Sequence, residues 1–127
     1  MSKRLISSGS TFETLAGYSR AVVENGLVHV SGTTGFDYAA MRISDDLLEQ
    51  THQTFRNIAA ALEQAGASLD DVVRVHYLIT DASYFEPIAP LLGKYFARAR
   101  PAATMMVVGL IDPRMKIEIE VTARIPG

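Results

Sequence analysis

Asn25-Gly26 separates two β-prone runs and fixes the backbone there more narrowly than composition could. A two-residue turn of type I′ needs positive φ at both positions, which asparagine and glycine tolerate best, so the pair predicts a β-hairpin. The preceding run, Ser19 to Glu24, is β-branched in its middle. The following run, Leu27 to Ser31, alternates, with Val28 and Val30 on one side and Leu27, His29 and Ser31 on the other. One face of the hairpin is therefore apolar, and the rest of the chain must cover it.

The cover is a helix. From Asp45 to Ala65 the residues Leu48, Phe55, Ile58, Ala59 and Leu62 recur at helical spacing, with Glu49, Gln53, Arg56 and Glu63 mostly opposite. Ser44 is the expected N-cap, Asp45 and Asp46 suit the positive end of the helix dipole, and Gly66 suits the left-handed position after the last turn. Val72 to Ile79 reads as a buried strand interrupted only by Arg74 and His76. Ser83 and Glu86 have capping-box spacing ahead of a stripe of Ile88, Leu91, Leu92, Tyr95 and Phe96. Pro87 fits a first turn. Pro90 should kink this second helix or delay its regular start to near Ala89.

Two strands close the chain, Thr104 to Val108 and Met115 to Ala123, with a turn at Asp112-Pro113 between them. The expected order is ββαβαββ, with an additional N-terminal strand as an option, and two helices on one face of a mixed sheet are its natural packing. In the last strand Ile117, Ile119 and Val121 face one way and Lys116, Glu118, Glu120 and Thr122 the other. Helices can cover only one of those faces, so the other meets solvent or a second subunit. Apolar residues on both faces of Val72 to Ile79 favour the subunit.

At 127 residues with no internal repeat or linker, residues 1–127 are expected to form one domain. A net charge of −2 provides no broad basic field for nucleic acid, and no apolar run approaches membrane-spanning length. Cysteine is absent, which removes disulfides, thiolate nucleophiles and thiolate metal sites. His29, His52 and His76 lie at no metal-binding spacing. The expectation is a cytoplasmic protein without metal. Ser31-Gly32-Thr33-Thr34-Gly35 has no Gly-Lys-Ser/Thr ending, so its glycines do not signal a phosphate loop.

Several segments together carry a family resemblance: Gly17-Tyr18-Ser19-Arg20-Ala21-Val22, the Asn-Gly hairpin, Val30-Ser31-Gly32, Gln50 to Ala65, Gly66-Ala67-Ser68-Leu69-Asp70-Asp71-Val72-Val73 and Ile117-Glu118-Ile119-Glu120. In this order they resemble the RidA (YjgF) family along nearly the whole chain. The resemblance implies a chorismate-mutase-like α+β fold and a homotrimer whose sheets form a central barrel. It also implies small-molecule clefts between subunits and hydrolysis of reactive enamines and imines without a cofactor.

Archetypal members place an arginine after Pro-Ala to hold a substrate carboxylate, a task suited to the two parallel donors of a guanidinium. Here the segment reads Pro101-Ala102-Ala103-Thr104, with Ala103 in the arginine's place. Losing a hydrogen bond to a charged group costs about 1.5–3 kcal/mol, about ten- to hundred-fold in binding or rate. Efficient deamination of 2-iminobutanoate is therefore not expected. A non-catalytic trimer that binds a metabolite or a protein is the alternative.

By the same resemblance Glu118 matches the glutamate that positions or protonates water, a role helped by partial burial. Tyr18 matches the cleft tyrosine, Gly32 and Thr33 the backbone lining, and Ala103, Thr104 and Met105 the strand that completes the cleft. Each has a plainer reading. Glu118 is also where an outward strand residue would pair with Arg74 or Lys116, Glu120 suits a structural ion pair, and the methionines suit strand packing. His76 stands where it could meet Glu118 or Glu120 across the sheet beside Arg74.

Overall fold

A computed structural model describes residues 2–127. Its elements run β1 (Arg4–Ile6), α1 (Thr11–Ala16), β2 (Ala21–Glu24), β3 (Leu27–Thr34), β4 (Phe36–Asp37), β5 (Arg42–Ile43), α2 (Leu47–Ala65), β6 (Val72–Ile79), α3 (Phe85–Tyr95), β7 (Ala102–Val107) and β8 (Ile117–Arg124). The six-stranded sheet has the order β1-β2-β3-β8-β6-β7. Every pairing in it is antiparallel except β6 with β7. Among the described residues no helix is long and apolar enough to cross a membrane.

The hairpin forms as its turn requires: Asn25 and Gly26 have φ of 49° and 75°, and Val22 pairs with His29. Val28 and Val30 are buried, and they meet Phe55, Ile58 and Leu62 of α2 in the core. Ile117, Ile119 and Val121 of β8 enter the same core, as do Val75, Tyr77 and Ile79 of β6 and Ile88 and Leu92 of α3. Each large apolar side chain so buried stabilises the fold by about 1.5–3 kcal/mol. Phe55 also stacks on Tyr95, with ring centroids 4.0 Å apart, which joins α2 to the end of α3.

The end of α2 explains the Gly66-to-Val73 segment physically. Gly66 takes the left-handed conformation, and the Ala67 amide returns to the Leu62 carbonyl at 2.9 Å. The Asp71 carboxylate then accepts from the Ser68 amide at 2.8 Å, so the turn into β6 is closed by its own side chains.

Five expectations are corrected. Asp46, not Ser44, caps α2, accepting from the Glu49 amide at 2.8 Å, while Ser44 Oγ accepts from the Asp46 amide one step earlier. The helix starts at Leu47, Leu48 in its first turn is exposed, and Ala61 and Ala65 are in the core. Ser83 and Glu86 form no capping box: Asp81 accepts from the Ser83 amide and hydroxyl, a short 3₁₀ turn follows, and α3 runs through Pro90 without delay. Pro90 is tolerated because it lies on the solvent side. Val73 is exposed because the β6–β8 register slips between Val72 and Arg74, leaving two successive residues outside. The optional N-terminal strand exists as β1, and α1, β4 and β5 are additional to the expected order.

Gly35 marks the closest approach of sheet and helix. A Cβ there would lie 2.6 Å from Gln50 Cα, so only glycine lets α2 sit this near the end of β3. Gln50 itself is fully buried and clamps two loops, donating to the carbonyls of Ser44 and Arg114 and accepting from the Lys116 amide at 2.7, 2.8 and 2.9 Å.

Candidate functional site

The site begins at a helix stop. Ser10 caps α1, and Gly17, at φ 73°, reverses the chain so that the Gly17 and Tyr18 amides both return to the Glu13 carbonyl. This delivers Tyr18 to the uncovered face of the sheet, 37% exposed. The Ser31 amide donates to the Arg20 carbonyl at 2.9 Å, tying the segment after Tyr18 to β3.

A bulge in β3 shapes the rest. Val30 pairs with Val121 and Thr33 with Ile119, so Ser31 and Gly32 together oppose Glu120. The extra residue brings the Gly32 backbone against the neighbouring outward carboxylate: a Cβ on Gly32 would lie 2.8 Å from Glu118 Cδ. A side chain at position 32 would have to displace that carboxylate, whereas no positive φ calls for glycine here. Burial raises the pKa of Glu118 above 4.5, the Glu120 charge raises it further, and Arg20 opposes both. Burial likewise raises Tyr18, again opposed by Arg20.

Gly32 and Glu118 are thus brought together, and Tyr18 is linked to them through Arg20, which holds the Gly32 carbonyl and lies 5.7 Å from the Tyr18 ring. Thr33 is adjacent but fully buried, and its hydroxyl donates to the Ser31 carbonyl, leaving only its backbone for a ligand. Ala103, Thr104 and Met105 lie elsewhere, on edge strand β7, separated from β8 by β6. Ala103 is exposed beside α3, in a hollow it shares with Tyr77, Phe96 and Arg100. Thr104 pairs with His76 and Met105 with Tyr77, so they point to opposite faces. Within one chain the candidate residues form two separate groups.

The expected partners of Glu118 are otherwise engaged. Lys116 Nζ lies 3.5 Å from the Tyr84 hydroxyl, and Arg74 donates through Nε to His76 Nε2 at 3.2 Å. His76 Nδ1 in turn is hydrogen-bonded with Glu120 Oε1 at 2.7 Å. Among the described residues the Glu118 carboxyl therefore has no hydrogen-bond or ion-pair partner, while Glu120 has His76. An open hollow of about 600 Å³ crosses this face, bordered by Tyr18, Ser31, Arg74, His76 and Glu120. Among the described residues no three His, Asp or Glu side chains gather as a metal site.

Sequence reasoning missed Arg20. It is 1% exposed, in contact with Ser31, Gly32 and Thr33, with its guanidinium 4.4 Å from the Tyr38 ring and 5.7 Å from the Tyr18 ring. Only its place two residues after Tyr18 pointed to it.

A mixed sheet with its helices packed on one face defines an α+β protein. The comparisons agree. The family described as Endoribonuclease L-PSP matches residues 8–125. A RutC family protein of Pyrococcus abyssi is 32% identical over 97% of this chain and 98% of its own. Reactive Intermediate Deaminase A of Arabidopsis thaliana, a chloroplastic protein, is 30% identical over 95% of this chain and 65% of its own. A crystal structure of a YjgF/YER057c/UK114 family member from Mycobacterium tuberculosis is 42% identical and superposes with a TM-score of 0.88, covering 97% of this chain and 99% of that one. The chain belongs to the RidA/YjgF family and has its chorismate-mutase-like fold.

Proposed function

We propose that three copies assemble with their open sheet faces inward, so that β7 of one copy completes the Tyr18–Gly32–Glu118 site of the next, and that the resulting cleft hydrolyses a small enamine or imine. The division of the candidate residues into two groups supports the assembly, as do exposed Met106 and Val107 on an unpaired edge strand. The observation that carries the chemistry is Glu118: half-buried, unpaired and held above its ordinary pKa, as a proton-transfer group should be. Water adds to the imine carbon while its proton passes by way of Glu118 to nitrogen, and collapse of the adduct releases ammonia and leaves a carbonyl. Tyr18 holds the ligand through its hydroxyl.

Substrate choice follows from Ala103, which offers no donor to a carboxylate. Arg20 cannot replace the missing guanidinium, because it is buried and committed to protein acceptors. The reading therefore favours substrates that lack the usual carboxylate contact. The test is hydrolysis of 2-iminobutanoate and 2-aminoacrylate, generated in situ, by the native protein and by Ala103→Arg, each verified as a trimer. Weak native turnover and a gain in the variant are expected. Strong native turnover would overturn the inference from Ala103, and silence of both would favour a trimer that binds without catalysis.

A further inference from the structure

Arg20 is the least exposed charged residue of the chain, and everything it touches belongs to the site or to its support. Nη1 donates to the Gly32 carbonyl at 2.7 Å, to Thr33 Oγ1 at 3.1 Å and to Ser31 Oγ at 3.3 Å, so one nitrogen gathers the residues around the β3 bulge. Nε donates to Ser8 Oγ at 3.3 Å. Ser8 in turn donates to Glu13, whose carboxylate lies 3.9 Å from Nε. The plane of the guanidinium is backed by the Tyr38 ring, and buried Nη2 has no hydrogen-bond partner among the described residues.

This arrangement costs more than ordinary packing needs. A buried guanidinium requires acceptors and a counter-charge, here supplied by Ser8, Glu13 and the bulge itself. A bulge could be held by neutral donors, so the use of a full positive charge calls for an electrostatic reason. Glu118 supplies one. It is flanked by Glu120 on its own strand, faces Thr34 and Leu78 across the two ladders, and has Arg20 as the cation acting on it.

We propose that Arg20 is the positioning residue of this site: it fixes the Ser31–Gly32–Thr33 bulge against Glu118 and supplies the standing positive charge shared by Glu118 and Tyr18, without touching substrate. The proposal rests on the cleft reading above and deepens it. In a chain without an arginine at position 103, the guanidinium next to the site comes from below the sheet surface. It acts on the catalytic carboxyl instead of on the ligand.

The experiment is a carbon-detected titration of the Glu118 carboxyl, assigned with Glu118→Gln, in native protein, Arg20→Gln and Arg20→Lys, each checked for assembly and circular dichroism. Arg20→Gln is expected to raise the Glu118 midpoint by about half a unit or more, because an opposing cation has been removed. Arg20→Lys, which keeps the charge but not the fork, is expected to hold the midpoint closer to native. It should also let the Gly32 and Thr33 amides exchange about tenfold faster. A folded Arg20→Gln protein with an unmoved midpoint overturns the proposal. If Arg20→Gln does not fold, the lysine variant decides: unchanged exchange at Gly32 and Thr33 overturns it. The cleft reading fails separately, when Glu118→Gln in the Ala103→Arg background leaves imine turnover intact although the Arg20 effects on Glu118 are present.

Discussion

Replacing Gly35 by alanine should damage this fold far more than a single methyl suggests. The added Cβ would lie 2.6 Å from Gln50 Cα and 2.8 Å from the Gln50 carbonyl oxygen, both backbone atoms that cannot swing aside. Carbon atoms pack at about 3.5–4.0 Å, so helix and strand must separate by roughly 1 Å. The first turns of α2 cannot follow freely, because Gln50 is held by three hydrogen bonds of 2.7, 2.8 and 2.9 Å to the two loops at Ser44 and at Arg114–Lys116. A displacement of that size takes at least one of them beyond useful length. Overpacking costs about 1–3 kcal/mol and a lost buried hydrogen bond about 1 kcal/mol, offset by about 0.4–1 kcal/mol from the stiffer unfolded chain. The net expectation is about 2–3 kcal/mol.

Urea unfolding at fixed protein concentration measures this directly, since assembly would otherwise shift the midpoint. With a slope of about 1–3 kcal/mol per molar, the midpoint should fall by about 1–2 M. Gly93→Ala is the control: it lies in exposed α3 with open space around its would-be Cβ, and should stabilise by up to about 1 kcal/mol. A Gly35→Ala protein within 0.5 kcal/mol of native would refute the close-approach argument, that threshold being about the size of an ordinary surface substitution.

Further predictions concern charge and capping. Glu118 has a raised folded-state pKa, so as pH rises from 4.5 the unfolded chain ionises first, the folded state holds the extra proton, and stability falls. Glu118→Gln should therefore gain on native protein through that window and level off above the raised value; a difference independent of pH in urea unfolding would contradict it. Asp46→Ala should cost about 1 kcal/mol as a lost N-cap, and Ser44→Ala distinctly less. The reverse order would restore Ser44 as the cap. Gly32→Ala should cost about 0.5–1.5 kcal/mol, less than Gly35→Ala, because only a Glu118 rotamer is displaced. Its signature should be a moved Glu118 carboxyl resonance, and an unmoved resonance would place that carboxylate elsewhere.

The parts of the fold that local patterns specify were legible. Asn25-Gly26 dictates its turn whatever surrounds it, and alternation in β8 separates Ile117, Ile119 and Val121 from Glu118 and Glu120 whichever strand lies alongside. The site was legible only as residue types. Its geometry depends on two slips of register, and a slip changes neighbours without changing which residues are apolar. With even pairing from Val72, Arg74 would oppose the inward residue Val121. The slip after Val72 turns it outward opposite Thr122, where it reaches along its own strand to His76, while the apolar Leu78 is the residue opposite Glu118.

Arg20 was hidden for a related reason. Taken alone, an arginine at the head of a strand belongs in solvent, because nothing nearby in sequence repays its burial. The repayment comes from Ser8 and Glu13 before it and from the bulged residues 31–33 after it, segments that meet only once α1 has turned back at Gly17 and β3 has gained its extra residue. Glu118 and Arg20 thus meet at one feature. Both lie against Gly32 in the bulge that sets two residues of β3 against one of β8, so a change that straightens β3 should disturb the surroundings of both together.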